Sequence, residues 1–202
     1  MLLLHFDGSE GSQNFVDVGN HTVRADGNAQ ITQRGPRFGT GAGRFDGNGD
    51  QLYIAPRAQE FFFEGTAPFT IEAWVSGTGT IFSNDTFGLV LSIKDERTLF
   101  AWVNGMLPWD YVGTAAGTVP TGWHHVALSF DGTTYRWFID GAVTLARAGQ
   151  LSGQAANHFT VGGYSAGTQP WFNGDLDEFR VTRGVARYTA NFAPPTAPFP
   201  DR

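Results

Sequence analysis

The chain contains no cysteine. It therefore has no disulfide framework, no thiolate metal site and no cysteine nucleophile, and its fold needs no oxidising compartment. Charge is also scarce, at 16% of 202 residues, where globular domains carry roughly a quarter. Basic residues are the scarcer sign: 13 Lys and Arg face 19 Asp and Glu, a net charge of −6 at pH 7. No basic run exists, which argues against a nucleic-acid partner. Long apolar runs are missing too. Met1-Leu2-Leu3-Leu4 is followed at once by His5 and Asp7. That run is too short for the core of a signal peptide, and no segment is suited to insertion across a membrane. The expectation is a chain made in a cytoplasm and not exported by the usual signal. Nor does any window read as a long amphipathic helix.

What is abundant points to strands and turns. There are 27 glycines, about twice the usual share of roughly 7%, and aromatics make up 14%. Short apolar or alternating runs recur between turn residues: "LLLHF", "FTIEAWV", "FGLVLSIK", "TLFAWVNG", "FTVGGYS" and "DLDEFRVT". In "FTIEAWV", Phe69, Ile71, Ala73 and Val75 fall on one side, and Thr70, Glu72 and Trp74 on the other. Roughly a dozen such runs make an all-β chain, a two-sheet antiparallel sandwich or jelly roll. No internal repeat or interior linker appears. The expected organisation is one domain over residues 1–190 and a proline-rich tail over 191–202, extended and laid over the domain or a neighbour. Phe192 and Phe199 would anchor that tail and make it a partner-docking device.

The adjacent His124 and His125 open "HHVALSF", which alternates with period 2. Neighbouring strand residues point to opposite faces, so the two imidazoles cannot chelate one ion. The hairpin closes with Asp140-Gly141, where Asp140 serves as a turn former.

The ordered motifs "GRFDGNGDQLYI", "FTIEAWV", "GWHHVALSFDGTTYRWFIDGA", "FTVGGYS" and "FNGDLDEFRVTRGVARY" resemble the laminin G-like jelly roll of the concanavalin A-like superfamily. The opening "LLLHFDGS" and the ending "RVTRGVARYTANFAPPTAPFP" resemble a narrower set of laminin G-like proteins encoded by bacteriophages and prophages. The resemblance implies two curved antiparallel sheets, with the first and last strands side by side.

It also implies a place for calcium, between the first strand, a glycine-rich stretch and the last strand. The matching positions are Asp7, the carbonyls of residues 39–43, and Asp177. The alternative is that Asp7 forms a turn and Asp177 holds a loop by hydrogen bonds. For carbohydrate, which binds through aromatic faces and a few oriented polar groups, the candidates are Trp109, Asp110 and Tyr111 in "LPWDYVG", and Trp171 in "TQPWFNG". Core packing is the competing role for these tryptophans, and the expected one for Trp74, Trp123 and Trp137. The hydrolases of this superfamily place Glu-x-Asp-x-x-Glu on one strand, and no such run occurs. The cluster Asp175, Asp177 and Glu178 has the wrong spacing. No phosphate loop is present.

The expectation is a non-enzymatic bacteriophage virion protein with a lectin-like domain, tail-associated or on the capsid surface. It would bind host-surface carbohydrate and other virion proteins, including copies of itself. The alternative is a purely structural decoration or connector of the particle without glycan binding.

Overall fold

A computed structural model describes residues 1–55, 63, 65–84, 89–103, 116–149, 159–164 and 170–201. All the strands it describes are antiparallel. They are β1 (Leu2–Leu4), β2 (Val23–Asp26), β3 (Gln30–Thr32), β4 (Ala42–Asp46), β5 (Gln51–Ile54), β6 (Phe69–Asn84), β7 (Leu89–Ile93), β8 (Leu99–Val103), β9 (His124–Phe130), β10 (Thr134–Ile139), β11 (Ala142–Ala148), β12 (Phe159–Val161) and β13 (Asn173–Arg183).

The first sheet runs β11-β10-β9-β6-β13, and β13 then pairs with both β1 and β4, with β3 on the far side of β4. The second sheet runs β8-β7-β6-β12-β5-β2. One strand therefore serves both sheets. The first half of β6 pairs with β9 and β13, and its second half pairs with β7 and β12. The passage lies at Gly77 and Gly79. A Cβ on Gly77 would meet the Asn173 carbonyl oxygen at 2.3 Å, and one on Gly79, at φ +116°, would meet that of Trp171 at 2.2 Å. Only glycine admits so close a backbone.

Alternation explains the core. Phe69, Ile71, Ala73 and Val75 of β6 pack with Val126, Leu128 and Phe130 of β9, with Leu176, Phe179 and Val181 of β13, and with Leu2 and Leu4 of β1. Leu52, Ile54, Phe82, Leu91, Phe159 and Val161 come to meet them from the second sheet. Leu2 stands opposite Val181 and Leu4 opposite Phe179, so the first and last strands are neighbours, as the motifs implied. The "FTIEAWV" and "IFSN" runs prove to be one 16-residue strand. The edge strands β2 and β11 carry little buried surface and no clean alternation.

The opposite face of the first sheet is buried as well, and it is polar. Glu72, His125 and Arg180 are all under 5% exposed. Arg180 donates to Glu72 Oε1 from Nε at 2.9 Å and from Nη2 at 2.7 Å. His125 Nε2 lies 3.2 Å from Glu72 Oε2, and the Tyr188 hydroxyl donates to the same oxygen at 2.8 Å. Burial alone would raise the Glu72 pKa; the His125 hydrogen bond and the Arg180 charge outweigh it and hold the carboxyl below its ordinary value.

The C-terminal segment covers this network as a strap on its own sheet. Phe192 stacks on Tyr188 at 3.6 Å and 5°. The Phe199 ring lies 3.9 Å from the Arg180 guanidinium carbon and packs with Leu3 and Trp74. Trp137 belongs to the inter-sheet core. Trp74 does not: it is buried, but on the outer face beneath the strap, with Trp123 partly buried beside it. Even alternation puts Trp74 there, because Ala73 and Val75 take the inward positions.

Removing one partner of a buried ion pair strands the other. Glu72→Gln is expected to lower unfolding free energy by about 3–5 kcal/mol, read by urea denaturation. Arg24→Gln, which breaks the exposed pair with Asp26, should cost less than about 1 kcal/mol. Equal losses would show that the buried network carries no special weight.

Candidate functional site

The two adjacent histidines part company as strand geometry requires. His125 is fully buried on Glu72, whereas His124 is partly exposed and places Nδ1 2.7 Å from Asp140 Oδ2. Asp140 Oδ1 also accepts the His125 backbone N–H at 3.0 Å. Asp140, at φ +47°, thus fastens the hairpin turn to the start of β9.

Asp7 and Asp177 are brought to one loop. Asp177 Oδ2 accepts the backbone N–H groups of Arg37 and Phe38 at 2.8 and 3.0 Å. Asp7 Oδ1 accepts the Thr40 N–H, and the Thr40 hydroxyl at 2.9 Å. Each carboxylate therefore clamps residues 37–40. Asp177 Oδ1 is buried without a hydrogen-bond partner. Burial pushes the Asp177 carboxyl up to about 7, with the Glu178 charge adding to the rise and the Phe38 and Arg37 amides opposing it. Glu178 itself sits at φ +52° where the β13 register shifts. Its carboxylate meets His5 Nδ1 at 2.7 Å and accepts the Phe199 N–H at 2.6 Å.

Trp171 marks the other region. It is half-buried at the end of the second sheet, just before β13. Its indole lies against Gly163, where a Cβ would sit 2.5 Å from Cζ3 and 2.8 Å from the Gln51 Cβ. Because Leu52 and Ile54 of β5 face the core, Gln51 and Tyr53 face outward. Pairing with β2 sets Arg24 opposite Tyr53 and Asp26 opposite Gln51. The Arg24 guanidinium stands 5.0 Å from the Tyr53 ring centroid and forms a two-pronged pair with Asp26 at 2.9 and 3.1 Å. Gln51 Nε2 donates to Asp26 at 3.3 Å, while Gln51 Oε1 is buried with no partner. On β12 and β6 the same outward row continues through Thr160 and Ser83, and the Ser83 hydroxyl is also unpartnered.

The result is a pair of partly exposed rings, Trp171 and Tyr53, with the Gln51 oxygen and the Ser83 hydroxyl buried in the same sheet face. Such a surface takes an apolar sugar face by stacking and its hydroxyls by hydrogen bonds. Trp109, Asp110 and Tyr111 lie outside the described residues. Sequence reasoning named Trp171 but not the residues the structure sets around it, Gln51, Tyr53, Arg24 and Asp26. Their only signal was the outward parity of "QLYI", and strand pairing supplies the rest.

The Asp177 environment generates a pH effect. The folded-state pKa of about 7 exceeds the ordinary value near 3.9, so folding takes up a proton between those limits. Stability is therefore expected to fall as pH rises through that window. Asp177→Asn should flatten that part of the curve, measured with chelator present by urea denaturation at about pH 4 and about pH 8. A variant curve parallel to wild type would contradict the assignment.

A family model described as Concanavalin A-like lectin/glucanases superfamily, Laminin_G_3, matches residues 46–186. No curated protein sequence matches. Among solved structures, domain 4 of AbnA, a GH43 extracellular arabinanase from Geobacillus stearothermophilus, in complex with arabinotriose, is similar over 92% of each chain. The TM-score is 0.63 and the identity 19%. The receptor binding domain of botulinum neurotoxin mosaic serotype C/D is similar over 95% of this chain and 48% of its own, with TM-score 0.62 and 11% identity. The binding domain of botulinum neurotoxin DC in complex with SialylT is similar over 100% and 48%, with TM-score 0.59 and 13% identity. This chain thus spans about half the length of the neurotoxin domains. At these identities the likeness speaks for the fold, and it agrees with the family match over most of the sequence. The chain belongs to the Laminin_G_3 family of the concanavalin A-like lectin/glucanase superfamily.

Proposed function

We propose that this chain is a non-enzymatic carbohydrate-binding domain that reads a glycan with the platform of Trp171, Tyr53 and Gln51. The observation that carries this reading is the half-buried Trp171 indole beside the outward-facing Gln51 and Tyr53 of β5. An apolar sugar face covers the ring, and sugar hydroxyls meet the exposed polar side chains beside it, Arg24 among them. The arabinotriose and SialylT complexes of the similar domains support the same class of ligand. Against catalysis stands the state of Glu72, the buried acid of the long central strand, whose oxygens are taken by Arg180, His125 and Tyr188. The opening and closing motifs support a place on a bacteriophage particle, tail-associated or on the capsid, with host-surface carbohydrate as the target. A structural decoration or connector is the second reading, favoured by the C-terminal strap, which is built for protein contact.

A glycan screen with the isolated chain tests the first reading. Binding is expected, and Trp171→Ala should weaken it by about 2 kcal/mol, roughly thirtyfold, with melting unchanged. Retention of no glycan, or full affinity in the variant, would remove the carbohydrate reading and leave the connector role.

Calcium is proposed for the corner of Asp7 and Asp177. The buried, unpartnered Asp177 Oδ1 fits a cation. Asp7, Asp177 and carbonyls of residues 39–43 would hold it, and the ion would tie the first and last strands to the loop between them. Among the described residues no three His, Cys, Asp or Glu gather to hold a metal, so backbone oxygens must complete the set. Calcium should raise the melting temperature by binding the folded state, and Asp177→Ala should abolish the rise. Identical melting in calcium and in chelator would mean that the corner works through hydrogen bonds alone.

A further inference from the structure

The strap meets the first sheet at two separate stations. At the first, Phe192 donates its N–H to the Gly141 carbonyl at 2.9 Å, stacks on Tyr188, and stands edge-on to Phe138 and His125 at 5.3 and 5.6 Å. Asn191 Oδ1 beside it accepts the Val143 N–H at 2.8 Å. At the second, Phe199 fills a pocket of Leu3, Trp74 and the Arg180 guanidinium, and its N–H goes to Glu178 at 2.6 Å. Asp201 Oδ1 then meets His5 Nε2 at 3.0 Å.

Between the stations lie residues 193–198, which include Pro194, Pro195 and Pro198, and none of the six is buried. A polyproline connector advances about 3.1 Å per residue and resists collapse. The second station is therefore held by its own contacts and not by those of the first. Its contacts run from the tail to side chains of the sheet, and none is a rung of a strand ladder. The floor is imperfectly matched: Trp74 Nε1 and His125 Nδ1 are buried without partners.

We propose that this second pocket is a recognition site for a Phe-Pro-Asp segment and that it accepts the tail of a second copy of this chain. The first station stays at home, the proline connector spans outward, and Phe199 to Asp201 exchange between neighbours. Every contact made in cis is available in trans, because a second copy carries the same residues. The occupant is specified by three features of the pocket: a cation over the ring, an acid for the Phe199 N–H, and an imidazole for the Asp201 carboxylate. The pocket lies on the first sheet and the sugar platform on the second, so the two proposals stand or fall separately.

The test uses the full chain carrying Phe199→Ala, which empties its own pocket, and a labelled peptide of residues 193–202. The peptide is expected to bind this variant. Wild type, whose own tail competes at an effective concentration on the order of millimolar, should bind it at least about tenfold more weakly. A peptide carrying Phe199→Ala should not bind. Wild type alone should form dimers as its concentration rises, and excess peptide should return them to monomer. If Phe199→Ala does not fold, Asp201→Lys, which removes the His5 contact and so helps the tail leave the pocket, is read in the same way. A folded variant that ignores the peptide, or a wild-type chain monomeric up to its solubility limit, would overturn the proposal.

Discussion

A carboxylate buried on the wrong side of a sheet governs this molecule. Glu72 sits in the longest strand with its side chain turned away from the inter-sheet core. A buried charge is tolerable only with partners and hydrogen bonds around it. Arg180 arrives from β13, His125 from β9, and Tyr188 from the chain beyond β13. Once these four are assembled, the outer face cannot be left open to water, and Phe192 and Phe199 close it. The proline-rich end is thus a requirement of the sheet it covers. Its aromatic spacing is set by the distance between the turn at Gly141 and the pocket at Arg180.

The two faces of the sandwich consequently differ in kind. On the first sheet the outward side carries the paired charges of Glu72 and Arg180, and the aromatics there are occupied by the strap. On the second sheet, Gln51 and Ser83 keep unsatisfied atoms beside Trp171 and Tyr53. Among the described residues, several of the few charges are paired within the chain. What it offers outward near Trp171 is mainly neutral amide, hydroxyl and ring, with one arginine already paired to Asp26. That chemistry suits a neutral polyol better than a charged ligand.

Much of this was readable in advance wherever one face of a strand is buried. "FTIEAWV" and "HHVALSF" declare their faces because the inward residues are large and apolar and the outward ones are not. The approach of β1 to β13 was legible through the family motifs. The edge strands β2 and β11 were not, since edges bury little and so leave no period in the sequence. Trp74 was misplaced because a tryptophan suggests a core, while its strand parity, already visible, set it outside. The partners of Trp171 were hidden for a different reason. Arg24, Gln51 and Tyr53 are joined to it only by strand register and by the closeness of Gly163, neither of which leaves a local trace.

The position of β13 has a consequence for how the chain is made. It is the last strand in sequence, yet it pairs with β1, β4 and β6 in the middle of the first sheet. During synthesis the strands that pair with it must wait, with unpaired ladder edges and an open Glu72, until residues 173–183 have left the ribosome. Such long-range closure is slow and exposes sticky edges. Assembly of the first sheet therefore waits for residue 183, and a chain stopped anywhere short of it is a candidate for aggregation, with its central strand absent.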